Sequence, residues 1–464
     1  MQRASAHRLS AGRIVAAALV VALAGLLLAG ALFWRSRQVG VRILATSPQS
    51  NAQGVSTRTS ISVMFDQPIT AQGSVAPLTV SPAVTGTVQW EGTVLSFTPS
   101  SRLSPDTIYT VILQAGLTDT QGRVLRRAQA WSFRTGEGRI YYLAADANRA
   151  LQIYVTAGLG GKATQLTHES VGVWDYTVSP DGLTIAYSAE RQDGGHDLYL
   201  MGANGQGRRL VAGFAGGVCD QAVWAPDGQR LIYVRQTLRN GNPDPQTARL
   251  WWLRLPQAQS SPVFSGNTPP ALYPALSADG HWLSYLSPSE QGVAVYNLQD
   301  GRRSVFPSQG GVPAVWSPQG HVLLISQAVE NNENLTMHLS AANVDNGQVT
   351  PLSNEDLVED TSPAWSPDGQ WIAFTRKELA GAQAAAGQQI WLVRPDGTQA
   401  HPATADAQHQ YGIPDWSPDG RQILCHGLQQ ADQASPDAGL WLLNPATGAL
   451  QQLTAKGGWG TWVP

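Results

Sequence analysis

Hydrophobic residues are spaced in three ways along this chain. Between residues 14 and 34 they are continuous, because IVAAALVVALAGLLLAGALFW holds no charged or strongly polar side chain. A helix of that length reaches roughly 30 Å at 1.5 Å per residue, the depth of a bilayer's apolar layer. Between 41 and 136 the apolar residues alternate with polar ones in short runs. From 139 onward such runs recur, and tight turns mark them off at intervals of 40 to 52 residues. The pattern predicts one membrane-spanning helix followed by two β-rich domains.

Trp34 followed by Arg35 and Arg37 has the make-up of an interfacial anchor. Residues 1–13 are then a short cytoplasmic tail. A cleavable signal peptide competes with this reading, since Ala29, Gly30 and Ala31 could form a small-residue cleavage site. Its apolar core would be long for that role, which favours an uncleaved anchor. Arg3, Arg8 and Arg13 nearly balance Arg35, Arg37 and Arg42, so charge hardly sets the orientation.

In 41–136 the runs SISVMFDQPI, LTVSP, GTVQWEG, TVLSFTP, TIYTVIL and AWSFRT are rich in β-branched and aromatic residues and bounded by Pro, Gly, Asn or Asp. That is the signature of strands in a sandwich. In TIYTVIL, Tyr109, Val111 and Leu113 oppose Ile108, Thr110 and Ile112, so one face can enter a core. Asn51-Ala52-Gln53-Gly54-Val55, Val63-Met64-Phe65-Asp66-Gln67-Pro68-Ile69, Leu95-Ser96-Phe97-Thr98-Pro99 and Ser132-Phe133-Arg134-Thr135 resemble the bacterial Ig-like domain of surface-layer and other exported proteins. The resemblance implies a spacer or adhesive module without catalytic residues. Asp66 and Asp119 are expected at turns and strand ends rather than on a metal.

The turns after 139 are SPDG at 179–182, APDG at 225–228, SADG at 277–280, SPQG at 317–320, and SPDG at 366–369 and 417–420. Pro presets φ, Asp or Ser bonds nearby amides, and Gly accepts positive φ. Around each turn the runs read as strand A, turn, strand B, loop, strand C, turn, strand D, the content of a propeller blade. Segment 138–167 has B, C and D without A, whereas the final GGWGTWVP is an A strand alone. Together they make one composite blade, which closes the ring with strand 457–464. Residues 139–464 then give about 47 residues per blade for seven blades, or about 54 for six. Seven is the expectation and six the alternative. The fold class is all-β: an Ig-like sandwich at 41–136 and a β-propeller at 138–464, after one transmembrane helix.

Trp224, Trp316, Trp365, Trp416 and Trp462 share one position of strand A, with Val178 and Leu276 in the other blades. A ligand-stacking row is conceivable, but packing between blades is the stronger reading. WSPDG followed by IAFT or IAYS resembles the WD-repeat-like propeller of the TolB-like superfamily over 139–464. This resemblance identifies a fold rather than an activity. Together with the Ig-like resemblance, it implies that the bulk of the chain lies outside the cytoplasm.

Composition narrows the function. A net charge of -3 and a pI near 6.3 leave no basic footprint for nucleic acid. Cys219 and Cys425 fit no metal spacing and are expected as two separate, buried thiols. TolB-like propellers also precede prolyl-oligopeptidase-type hydrolase domains, but the chain has no G-x-S-x-G elbow and no H-E-x-x-H pair. The expectation is a binding or scaffold protein, not an enzyme, with no cofactor and no metal site. A lyase or hydrolase built from several blades and an envelope sensor are the alternatives.

Strand alternation puts the long B–C loops and the D–A connections on one face, where recognition usually sits. Binding candidates there are Trp174, Asp175, Asp220, Asp360, His409, Tyr411, Asp415 and Trp459. The partner expected is a protein or a cell-envelope polysaccharide, with the membrane engaged through 14–34.

Overall fold

Alternation of side chains and frequent tight turns leave this chain little option but sheet. In the computed structural model the described residues are 40–463, except 53, 54, 56, 58, 71–76, 101, 102, 137, 267, 309–312, 332, 333, 354, 381–386 and 430–437. They are all-β, with two single-turn 3-10 segments and no α-helix. Among them no helix is long and apolar enough to cross a membrane. The expected span at 14–34 lies outside the described residues. The described chain forms two compact units.

The first unit is a sandwich of short strands. One sheet pairs Ile43–Ser47, Ile61–Phe65, Val94–Pro99 and Gly86–Glu91 in that order, and a second pairs Leu78–Ser81, Ile108–Leu113 and Gln129–Arg134. The alternation is realised as the period predicts: Tyr109, Val111 and Leu113 are buried, as are Val63, Phe65, Leu95 and Phe133, and Tyr109 stacks on Phe133 at 5.8 Å. Asp119 is a turn residue. Its Oδ1 accepts the amides of Gln121 and Arg123 at 2.9 Å, and Arg123 links it to Asp66.

In the second unit the strands fall into antiparallel four-strand groups whose inner strands are Gly458–Val463, Val173–Val178, Gly217–Trp224, Leu272–Leu276, Val315–Trp316, Val358–Trp365 and His409–Trp416. The first group joins both extremes of the unit. Arg139–Ala145 pairs with Leu151–Thr156 on one edge and with Gly458–Val463 on the other, with Ile140 opposite Trp462 and Arg139 opposite Val463. The terminal tryptophan segment therefore supplies the missing inner strand.

Apolar contact runs from each group to the next. Tyr141 and Ile153 pack with Ile185 and Tyr187, and Ala186 and Leu198 pack with Trp224 and Tyr233. The chain of contacts ends where it began, because Leu424, Leu440 and Leu442 of the last group pack on Ile140 and Tyr142 of the first. One position of strand B carries much of this core: Tyr142, Tyr187, Tyr233, Tyr285, Ile325, Phe374 and Cys425 are all buried there. Burying a side chain of that size stabilises by about 1.5–3 kcal/mol. Cys425 thus occupies a core position, and both cysteines are buried, free thiols.

The repeated turns follow their chemistry. Ser179, Ser277, Ser366 and Ser417 each place Oγ 2.5–2.7 Å from the turn aspartate two residues on. The same aspartates cap the amides of Leu183, His281, Gln370 and Arg421. These acids are consumed by the turn. The repeated tryptophans likewise reach the preceding group, with Trp316 Nε1 donating to the Ala275 carbonyl at 3.3 Å and Trp416 Nε1 to that of Ala364 at 3.2 Å.

Candidate functional site

Five of the inner strands share a defect three residues before the position of the repeated tryptophan. There the register slips, and Gln221, Tyr273, Ser362, Ile413 and Trp459 adopt φ between 48° and 53°. These are β-bulges, each with an extra residue whose amide leaves the ladder. A left-handed conformation costs a non-glycine residue roughly 1–2 kcal/mol. The freed amides recover it by bonding to the preceding group. Gln221 donates to Asp175 Oδ2 at 2.6 Å, Tyr273 to Gln221 Oε1 at 2.7 Å, Ile413 to Thr375 Oγ1 at 3.2 Å, and Trp459 to His426 Nε2 at 2.6 Å.

This handover accounts for several of the sequence candidates. Asp175 receives the Gln221 amide, and burial together with the charge of Asp220 raises its pKa. Asp220 is buried with one oxygen 3.2 Å from His196 Nδ1. Asp415 accepts the Trp462 amide at 2.8 Å and the Thr461 hydroxyl at 3.1 Å, and burial pushes it up to about 6. Asp360, fully buried, forms a two-pronged ion pair with Arg376 at 2.7 and 2.8 Å. Arg376 also reaches Glu355 and stacks over Trp391. None of Asp220, Asp360 and Asp415 is an open surface charge.

His409 and Tyr411 form another closed set. Asp406 Oδ2 lies 2.7 Å from His409 Nδ1 and accepts the Tyr411 hydroxyl at 3.1 Å. Burial and the Asp406 carboxylate raise the Tyr411 phenol, so it stays protonated.

Trp174 and Trp459 are different. Trp174 is 54% exposed while stacked on His196 at 4.8 Å, and Trp459 is 61% exposed with its ring edge-on to His426. Tyr273, Leu357 and Ile413, at or just before the matching ends of other inner strands, are also exposed. Tyr273, Ile413 and Trp459 are themselves the positive-φ bulge residues. Large apolar groups thus stand open at the D–A end of the inner strands, while the acids beside them are engaged.

Sequence reasoning missed His196, His426, Gln221 and Tyr176. His426 is pushed down to about 4 by burial, which keeps Nε2 free of a proton to accept the Trp459 amide. The Tyr176 hydroxyl lies 2.7 Å from the Tyr141 carbonyl and 2.8 Å from that of Trp459. No linear pattern marks them, because the bulge position is Gln, Tyr, Ser, Ile or Trp in turn.

The class that these features define is an Ig-like sandwich followed by a β-propeller domain. Residues 38–135 match the bacterial Ig-like domain family, and residues 258–459 match the TolB beta propeller domain. Among curated proteins, the uncharacterized peptidase YuxL of Bacillus subtilis is 24% identical over 226 residues, covering 47% of this chain and 31% of the relative. The uncharacterized protein Atu1656 of Agrobacterium fabrum is 28% identical over 149 residues, covering 28% of this chain and 46% of the relative. The chain spans less than half the length of these relatives. Among solved structures, TolB from Acinetobacter baumannii aligns at 12% identity over 92% of this chain and 99% of its own, with a TM-score of 0.42. A prolyl endopeptidase aligns at 11% identity over 84% of this chain and 50% of its own, with a TM-score of 0.50. The latter likeness is one of fold.

Proposed function

We propose that this is a membrane-tethered extracytoplasmic scaffold whose propeller, a closed ring of seven blades, captures a protein partner on its D–A face. Seven four-strand groups and the seam between Arg139–Ala145 and Gly458–Val463 support the ring. The apolar run at 14–34 supports the tether.

One observation carries the recognition role. At the ends of the inner strands the acids are engaged in the fold, whereas Trp174, Tyr273, Ile413 and Trp459 are left exposed. Exposed aromatics set beside aliphatics suit a protein surface, where Trp and Tyr are enriched among hot-spot residues. A polysaccharide would use the two tryptophans but gain little from Ile413. The reading assigns no chemistry to the chain.

The test is crosslinked capture by the full-length protein in its own membrane, comparing wild type with Trp174→Ala and Trp459→Ala, alongside a glycan panel. Loss of one specific protein in both variants supports the reading. Unchanged capture removes this face, and Trp-dependent glycan binding replaces the protein with a polysaccharide. Turnover of peptide or polysaccharide by the purified chain would replace binding with catalysis.

A further inference from the structure

Two of the four-strand groups hold an arginine on the same frame, but only one supplies it with acids. In the sixth group Arg376 is opposite Asp360 on the inner strand and two residues beyond Phe374, whose partner is Trp391. Its guanidinium carbon is 4.5 Å from the Trp391 ring centre, and its nitrogens pair with Asp360 at 2.7 and 2.8 Å and with Glu355 at 2.9 Å. In the third group Arg235 has the matching place, two residues beyond Tyr233, whose partner is Trp251. Its guanidinium carbon is likewise 4.5 Å from the Trp251 ring centre. Counted back from Trp365 and Trp224, however, the places of Asp360 and Glu355 are held by Cys219 and Phe214. Phe214 contributes a second ring, 4.4 Å from Arg235, and no charge.

The next strand widens the difference. Arg376 is opposite Gln389, but Arg235 is opposite Arg249. Directly opposed residues share a sheet face, and like charges there repel. Arg249 donates to the backbone carbonyls of Ala248 at 2.8 Å and Gln246 at 3.4 Å. Among the described residues no carboxylate pairs with either arginine. Nearby Asp197 is taken by Arg191 at 2.5 Å, and the Tyr233 phenol beside Arg235 is uncharged. One base with two acids in the sixth group thus becomes two bases without an acid in the third.

This pair is set for an anion. A guanidinium stacked on aromatic rings keeps its N–H edge for a planar, two-oxygen acceptor. Both arginines are half-buried, and Arg235 has no nitrogen sealed from water. The sixth group shows what the frame accepts, namely carboxylate oxygens. The place is also apt, because Trp174 stacks on His196 and His196 bridges to Val218, the neighbour of Cys219. The arginines therefore lie at the end of the inner strands where the exposed aromatics stand.

We propose that Arg235 and Arg249 receive a carboxylate, the side chain of an Asp or Glu on the captured protein. This names the chemistry of the partner and rests on the capture reading for the source of the acid.

The experiment titrates full-length protein into fluorescein-labelled hexaglutamate at low salt and follows anisotropy, with hexaglutamine, oligogalacturonate and a phosphoserine peptide as comparators. Hexaglutamate should bind and hexaglutamine should not, although the chain's net charge of -3 opposes an acidic ligand. Arg235→Gln should weaken binding about tenfold or more, as loss of a charged hydrogen bond does. Phe214→Glu, which gives Arg235 the acid that Arg376 has in Glu355, should do the same without lowering Tm, and it decides the matter if the Arg235 variant fails to fold. Arg302→Gln, at an exposed ion pair elsewhere, should bind as wild type does. The proposal is overturned if wild type ignores hexaglutamate or if both site variants bind it equally well. Arg235-dependent binding of oligogalacturonate or the phosphopeptide in place of hexaglutamate overturns it too. The titration needs no partner, so its failure is told apart from failed capture through Trp174 and Trp459.

Discussion

The backbone amide of Trp462 donates to Asp415 Oδ2 at 2.8 Å, joining the last inner strand to the one before it. The last strand's ladder partner is Arg139–Ala145, so this side-chain bond is a link to the neighbouring group in addition to that ladder. Enclosure of the carboxylate makes the bond pH-dependent. With a folded pKa of about 6 against an ordinary value of 3.8, the folded state binds more protons between those limits. Stability from this group is therefore full below about pH 4 and is lost as pH rises through 6. Asp415→Asn keeps an acceptor for the amide without the charge. The stability of the variant minus that of wild type should grow by roughly 2 kcal/mol from pH 4 to pH 7. Urea unfolding across that range measures it, and a flat difference would show an unperturbed carboxyl.

Asp360 and Arg376 call for a different outcome. Both are buried, and removing Asp360 leaves the buried guanidinium with only the half-exposed Glu355 as a counter-charge. Asp360→Ala should cost about 3–5 kcal/mol. Joint replacement by Leu and Met should cost less than the single change, and denaturation of the three variants gives the comparison.

Trp459 and Trp174 should separate recognition from stability. The Trp459 amide that holds its bulge is backbone, so Trp459→Ala leaves that bond in place. Each alanine variant should unfold within about 1 kcal/mol of wild type, as exposed substitutions do. Partner affinity should fall at least tenfold, read by titration against the captured protein.

Cys219 and Cys425 are buried, and burial pushes both thiols up to about 12. Neither should react with a thiol reagent at pH 8 until the chain is unfolded. Native labelling at either position, read by mass spectrometry, would contradict the packing described.

Much of the fold was legible because it rests on local rules. Ser and Asp at the turns bond their own backbone, alternation sorts Tyr109 from Ile108, and GGWGTWVP needs only the repeat pattern to be seen as a missing inner strand. The site was less legible. Asp220, Asp360 and Asp415 look like surface acids in sequence, and their burial depends on His196, Arg376 and Trp462, which only the folded sheets bring near. The bulges carry no composition signal, since their conformation is sustained by amide acceptors on the neighbouring group. The tryptophan row was readable as packing, and Trp224, Trp316, Trp365, Trp416 and Trp462 do pack within the apolar clusters that join one group to the next.

The seam that fastens the first group has a kinetic consequence. Tyr176 and Trp459, which meet through a phenol and a carbonyl, are 283 positions apart in the chain. Holding the ends of so long a loop together costs roughly 5 kcal/mol of chain entropy, against which the terminal strand offers only a handful of residues. Docking of that strand should thus be a late event in folding, and its amides should be among the earliest in the unit to exchange with deuterium.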